Sequence, residues 1–152
     1  MSASVDANIL VYASNEDDPG HQPAVTLLER LSAGPDLLYL FWPTILGYLR
    51  ITTHPRAQRY PITPVSAIAN IEALLALPHV VSVGEQDGFW ATYLASGGAH
   101  ARGNAVPDTH LATLMRENGV RILYTRDRGF RRFDFLDVRD PFTSVVNDEG
   151  AS

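Results

Sequence analysis

The stretch Ser-Val-Asp-Ala-Asn-Ile-Leu-Val-Tyr-Ala at residues 4–13 decides how this chain begins to fold. Its first three residues predict a short buried strand that ends at Asp6, and the apolar residues after Asn8 predict a helix. A strand that leads directly into a helix is typical of α/β folds. Active sites in parallel sheets gather beyond the carboxyl ends of the strands, and Asp6 stands at such an end.

The rest of the chain continues this alternation, which predicts an α/β fold with a central, mainly parallel sheet flanked by helices. Short apolar runs predict further strands at 37–41, 80–83, 122–124 and 136–138. Helical spacing between proline, glycine and asparagine boundaries predicts helices at 21–31, 43–53, 64–75, 87–95 and 107–117. In the helix that begins at Pro64, the residues expected to point inward are Val65, Ile68, Ile71, Leu74 and Leu75.

Two more aspartates are expected at the same edge of the sheet as Asp6. Asp127 follows the predicted strand at 122–124, and Asp108 opens a helix that can point into the same crevice. Carboxylate oxygens are the ligands that a hard cation such as Mg²⁺ prefers. A metal held in this way is typical of enzymes that hydrolyse phosphodiester bonds.

Each of these acids also has an ordinary structural explanation. Asp6 could cap a helix, and the helix dipole favours Asp108 wherever it starts a helix. Asp127 could be a solvated loop acid that pairs with Arg126 or Arg128.

Composition limits the chemistry that the chain can perform. It has 152 residues, enough for one domain with a sizeable core, and it has no cysteine. Disulfides, thiolate catalysis and cysteine-ligated zinc are therefore excluded. No apolar run approaches the roughly 20 residues of a membrane-spanning helix, and the N-terminus does not resemble a secretory signal. We expect a cytoplasmic protein with no membrane association.

All twelve basic residues are arginines, and six of them lie between Arg121 and Arg139. The net charge of −5 gives no indication of nucleic-acid binding. A local basic cluster can nevertheless bind phosphates, because salt screens the charges that lie farther away. The absence of lysine argues against a receiver-like phosphoryl-transfer domain, which would place a lysine beside its phosphorylated aspartate.

Four segments together resemble the PIN-domain ribonucleases and, within them, the VapC toxins of bacterial toxin–antitoxin pairs. Each segment is a weak signal alone, but their order and spacing agree with the family from end to end. The segments are Val5–Leu10, Leu49–Pro55, Ala101–Ala112 and Thr125–Phe130.

The resemblance implies a PIN-like three-layer sandwich over residues 1–144, followed by a polar tail at 145–152. It implies a Mg²⁺-dependent endoribonuclease, with Mn²⁺ as a possible substitute, that cuts RNA and is silenced by a VapB-type antitoxin. It also implies a homodimer. Carried over to this sequence, the catalytic, metal-holding acids are Asp6, Asp108 and Asp127.

One position departs from the family pattern. The family has a glutamate three residues before the arginine matched by Arg50, and this chain has Gly47 there. The departure leaves open whether one metal ion or two would bind. It also keeps a second hypothesis open, in which a catalytically decayed PIN domain acts as an RNA- or protein-binding module.

Several neighbouring residues are candidates for supporting roles. Asn8 and Thr125 could orient carboxylates or water, although helix capping and strand-end hydrogen bonding explain them equally well. Arg50 could contact an RNA phosphate or hold the site by an ion pair. A phosphate-binding track, or simply a solvated face, is formed by Arg126, Arg128, Arg131 and Arg132. The five histidines show no zinc-binding spacing.

Overall fold

Every neighbouring pair of strands in the central sheet runs parallel. The computed structural model describes residues 1–142, and its five strands pair in the order β3-β2-β1-β4-β5. The strands are β1 (Ala3–Val5), β2 (Leu38–Phe41), β3 (Val80–Val83), β4 (Ile122–Tyr124) and β5 (Asp137–Arg139). The predicted mainly parallel α/β sheet is confirmed. The predicted tail at 145–152 and the last two residues of the predicted domain lie outside the described residues.

Helices connect the strands, as a parallel sheet requires. The described residues contain α1 (Ala7–Ala13), α2 (His21–Ser32), α3 (Trp42–Thr53), α4 (Pro64–Leu75), α5 (Phe89–Ala95) and α6 (Ala105–Glu117). They also contain two short 3-10 helices, Gly98–His100 and Arg128–Arg132. No helix among residues 1–142 is long and apolar enough to cross a membrane.

The sheet separates two hydrophobic cores, which makes the architecture a three-layer sandwich. In β4, Ile122 and Tyr124 face one core while Leu123 faces the other, because successive side chains of a strand point to opposite faces. The first core contains residues of α1, α2, α3 and α4, and the second is built mainly from α6 and the segment after β4.

The start of α6 differs from the prediction. We expected the helix to begin at Pro107, but it begins at Ala105, so that Pro107 and Asp108 both lie in its first turn. Proline is tolerated there because the first backbone N–H groups of a helix have no intrahelical acceptor. Asp108 thus remains near the positive end of the helix dipole.

The inward face of α4 also differs from the prediction. Val65 and Ile68 are 78% and 45% exposed, whereas Ala67 and Ile71 are buried. Ala67 and Ile71 belong to the first core, and Leu74 and Leu75 pack against it. Apolar residues occur on more than one side of α4, so spacing alone could not decide which side faces the protein.

The two faces of α4 can be separated by mutation. Ile71→Ala should lower the free energy of unfolding by about 2–5 kcal/mol because it opens a cavity in the core. Ile68→Ala, on the exposed face, should change it by no more than about 0.5 kcal/mol. Urea denaturation of both variants measures the difference, and equal losses would contradict the exposure of Ile68.

Candidate active site

Asp6 lies at the junction of β1 and α1, where the chain turns from strand to helix. Its backbone N–H donates to the carbonyl of Tyr124 at 3.0 Å, which extends the pairing of β1 with β4 by one residue. Its side chain caps α1, because Ala7 N–H donates to Asp6 Oδ1 at 2.7 Å. The capping role and a second role for the other carboxylate oxygen are therefore compatible.

Thr125 joins two of the predicted acids. It is buried at the end of β4, and its hydroxyl donates to Asp6 Oδ2 at 2.9 Å. The same hydroxyl oxygen accepts a hydrogen bond from Asp127 N–H, also at 2.9 Å. One side chain thus orients the carboxylate of Asp6 and fixes the backbone that carries Asp127.

Asp127 and Asp108 complete the acidic cluster. Asp127 caps the 3-10 helix Arg128–Arg132, and Gly129 N–H donates to its Oδ1 at 2.8 Å. Among residues 1–142 it forms no ion pair with Arg126 or Arg128. Asp108 is less than a quarter exposed and lies 3.4 Å from Arg132, measured from its Oδ2 to Nη2.

The three acids interact electrostatically, because the charge of Asp127 affects the pKa values of both Asp6 and Asp108. Burial raises the pKa of Asp6, the hydrogen bonds from Thr125 and Ala7 lower it, and the charge of Asp127 raises it further. Burial and the charge of Asp127 also raise the pKa of Asp108, with a smaller contribution from Asp6, while Arg132 opposes the rise. Ionising the whole cluster therefore costs free energy unless a cation is present.

The donor set suits a hard divalent cation, although the side chains do not form a closed cage. Carboxylate oxygens are the ligands that such an ion prefers, and a nearby cation favours their charged form. Among the described residues, however, no three His, Asp or Glu side chains are arranged as a ready-made metal site. The residues that would hold a metal ion here are Asp6, Asp108 and Asp127.

Comparison with known proteins identifies the family. A model of the PIN domain matches residues 3–136, which include all three acids. Ribonuclease VapC48 of Mycobacterium tuberculosis is 46% identical over 144 residues, which cover 94% of this chain and 99% of the relative. Ribonuclease VapC43 of the same organism is 37% identical over 139 residues, covering 90% and 93%. This chain is a PIN-domain protein of the VapC family.

Solved structures of similar fold are more distant in sequence. VapC20 of Mycobacterium tuberculosis, described as a toxin that cleaves the sarcin–ricin loop, matches with a TM-score of 0.66 at 18% identity. The alignment covers 90% of this chain and 98% of VapC20. VapBC2 of Rickettsia felis, solved with a promoter DNA fragment, matches with a TM-score of 0.65 at 14% identity over 92% and 98%. At such low sequence identities these matches show only that the fold is similar.

Gly47, at the position where the family resemblance predicts a glutamate, faces the first residue of α1. A Cβ atom added to it would lie 3.5 Å from the Cβ of Ala7, the residue after Asp6. That separation is an ordinary van der Waals contact, so the backbone leaves room for a side chain there. Position 47 of α3 therefore faces the first turn of α1.

The other predicted residues have varied surroundings in this VapC protein. Asn8 is half-buried and Arg50 is exposed, and neither side chain has a hydrogen-bond partner among residues 1–142. Arg128 is likewise exposed without an ion pair in that range. The guanidinium of Arg126 lies over the rings of Tyr12 and Phe142, at 5.6 and 4.6 Å. Their proposed roles stay predictions.

The contact of Arg132 with Asp108 was not predicted from the sequence. Arg132 belongs to the arginine cluster after Asp127, but its partner Asp108 lies 24 residues earlier in the chain. No local pattern links the two positions, because only the packing of the 3-10 helix beside α6 brings them together.

The raised pKa of Asp6 leads to a prediction about stability without metal. A folded-state pKa above the unfolded value means that the folded protein binds the proton more tightly, so ionisation of Asp6 weakens the fold at neutral pH. Asp6→Asn should therefore melt at a higher temperature than wild type at pH 7 in EDTA. The difference in melting temperature between Asp6→Asn and wild type should decrease as the pH falls through the pKa of Asp6, because the wild-type carboxyl group then becomes neutral.

Thermal melts monitored by circular dichroism between pH 7 and pH 4 provide the measurement. Asp87→Asn is the matched control, since Asp87 is an exposed aspartate in the loop before α5. A lower melting temperature for Asp6→Asn at pH 7 would contradict the electrostatic cost assigned to this carboxylate.

Proposed function

We propose that this chain is a Mg²⁺-dependent endoribonuclease, the toxin of a VapBC-type toxin–antitoxin pair, acting in the cytoplasm. The observation that carries the proposal is the link from Asp6 through Thr125 to Asp127 in a chain of the VapC family. Relatives that match nearly the whole chain are named ribonucleases, which supports RNA as the substrate.

The proposed metal ligands are Asp6, Asp108 and Asp127. A bound Mg²⁺ or Mn²⁺ would lower the pKa of a water molecule and neutralise charge on the phosphate during hydrolysis. The protein's own contribution is to hold the carboxylates in place: Thr125 donates to Asp6, and Gly129 N–H donates to Asp127. Asp6 also lies largely out of water, which strengthens its attraction to a cation.

The charge distribution around the acids supports binding of a phosphate backbone. Arg128 and Arg131 are exposed on the 3-10 helix that Asp127 caps, and neither is paired with an acid in the part of the chain that the structure describes. Unpaired guanidinium groups beside a metal-binding cluster can contact the phosphates that flank the cleaved bond.

An apolar groove supports an antitoxin as the partner. It has a volume of about 550 Å³ and lies between α1, α2 and α4, lined in part by Leu10, Leu28 and Leu74. The lining also includes polar groups: the buried Tyr48 hydroxyl hydrogen-bonds with Ser14 Oγ and accepts from Asn70, so that the groove combines apolar side chains with a fixed polar network. An amphipathic helix of an antitoxin fits a surface of this chemistry.

The proposal includes a homodimer. Large apolar side chains are exposed on α3 and α5, and exposed apolar surface can mark a site of protein association. Trp42 lies against Gly84 at the end of β3, and α5 begins five residues later. The exposed side chains are Trp42, Leu46, Trp90 and Leu94.

A second candidate function is a PIN domain that binds RNA or protein without cutting it. Gly47 favours this alternative, because it removes one acid that the family pattern would supply. Cleavage assays separate the two functions directly, since a binding module leaves RNA intact at every metal concentration.

The first test of the enzyme is the loss of activity in Asp6→Asn. Cleavage of total bacterial RNA by the purified chain should require Mg²⁺ or Mn²⁺. Asp6→Asn should reduce the rate roughly 100-fold or more, because even groups that merely support metal ligands are worth about 10–100-fold. Asp87→Asn should cleave at the wild-type rate. Full activity of a folded Asp6→Asn protein would reject the metal-site assignment.

The second test concerns the missing glutamate. Gly47→Glu should add a fourth acid beside Asp6 and increase the rise in melting temperature that Mg²⁺ produces, because a ligand that binds only the folded state stabilises it according to its affinity. Gly47→Ala is the control, since replacing a helical glycine alone stabilises by about 1 kcal/mol. If the two variants show equal metal-induced shifts, Gly47 does not face the metal.

A further inference from the structure

Arg132 makes three contacts at the edge of the acidic cluster. Its Nη2 lies 3.4 Å from Oδ2 of Asp108, and its Nη1 donates to the carbonyl of Gly129 at 2.9 Å. Its guanidinium also lies over the ring of Phe133, 4.6 Å from the ring centre. The backbone carbonyl and the ring fix the direction in which the guanidinium points, and that direction is towards Asp108.

Gly129 connects the same arginine to a second acid. Its N–H donates to Asp127 Oδ1 at 2.8 Å, while its carbonyl accepts from Arg132. A Cβ atom on this residue would lie 3.0 Å from Asp127 Oδ1 and 3.2 Å from Arg132 Nη1. Arg132 is therefore coupled to Asp108 directly and to Asp127 through a single residue.

The position of Arg132 bears on the open geometry of the acids. Asp6, Asp108 and Asp127 influence one another electrostatically, yet no three acidic or histidine side chains in residues 1–142 form a ready-made metal site. The carboxylate of Asp108 has a cation beside one of its two oxygens. That cation repels a metal ion approaching the same group, and their interaction is screened only partly at the half-buried Asp108.

We propose that Arg132 is a built-in counter-ion of the acidic cluster, which stabilises Asp108 in the metal-free protein and competes with the metal ion for that carboxylate. The inference rests on the proposed function, because it takes Asp108 to be a metal ligand. Its consequence is a metal affinity lower than the acids alone would give.

A purely structural role for Arg132 makes different predictions. If the arginine only anchored the 3-10 helix, then its hydrogen bond to Gly129 and its packing on Phe133 would affect stability, and its charge would not affect metal binding.

Three variants separate the two roles. Arg132→Gln retains an N–H donor on a shorter side chain and removes the charge. Arg132→Lys retains the charge and loses the forked geometry. Arg131→Gln removes an adjacent exposed charge that has no acidic partner in residues 1–142, which makes it the matched control.

The experiment is calorimetric titration of each purified, metal-free protein with Mn²⁺ at pH 7 in 150 mM NaCl. Arg132→Gln should bind Mn²⁺ about two- to fivefold more tightly than wild type, in line with the strength of a partly exposed ion pair. Arg132→Lys should stay near wild type, and Arg131→Gln should change by less than about twofold because Arg131 is exposed and pairs with no acid in residues 1–142. In EDTA, Arg132→Gln should melt at a lower temperature than wild type, since the acids lose their counter-ion.

Unchanged or weaker Mn²⁺ binding by a folded Arg132→Gln protein would overturn the proposal, and so would an equal gain in Arg131→Gln. Circular dichroism establishes whether each variant is folded. If Arg132→Gln is not folded, Arg132→Lys provides the test, because it retains the charge. Tighter Mn²⁺ binding by Arg132→Lys than by wild type would also overturn the proposal. Failure of wild type and all variants to bind Mn²⁺ would reject the proposed metal-dependent function itself, together with this inference.

Discussion

The arrangement of the candidate site depends on the parallel pairing of β1 with β4. Three residue pairs define the register, Ala3 with Ile122, Ser4 with Leu123 and Val5 with Tyr124, and the N–H of Asp6 continues it by donating to Tyr124. Both strands are buried, so a shift by one residue would turn apolar side chains away from their cores. The same register places Thr125 beside Asp6, although the two residues are 119 positions apart.

The acids of the candidate site oppose the stability of the fold that positions them. Burial and repulsion between the acids raise the pKa values of Asp6 and Asp108, which means that ionising these two groups is less favourable in the folded protein than in the unfolded chain. Local groups offset part of this cost, namely the Thr125 hydroxyl, the Ala7 N–H and the Arg132 guanidinium. Sites that bind ligands commonly retain such unfavourable interactions because function requires them.

The sequence predicted the order of strands and helices and the position of the acids relative to them. This was possible because short apolar runs, prolines and glycines act locally, and because a parallel sheet brings the ends of its strands to one edge. It was wrong about Val65 and Ile68, since the buried side of α4 depends on which helix lies next to it. The contact of Arg132 with Asp108 could not be predicted from the sequence either, because it depends on tertiary packing. The family resemblance alone indicated that Gly47 would lie near the site.

The central position of β1 has a consequence for the time at which the site can form. β1 is the first strand in the chain, yet one of its two neighbours, β4, begins only at Ile122. During synthesis from the N-terminus, Asp6 leaves the ribosome long before Thr125 and Asp127 exist to join it. The acidic cluster is therefore assembled only after β4 and Asp127 have been made, and any nascent fragment that ends before β4 lacks it. Premature termination upstream of this strand yields a polypeptide without the site.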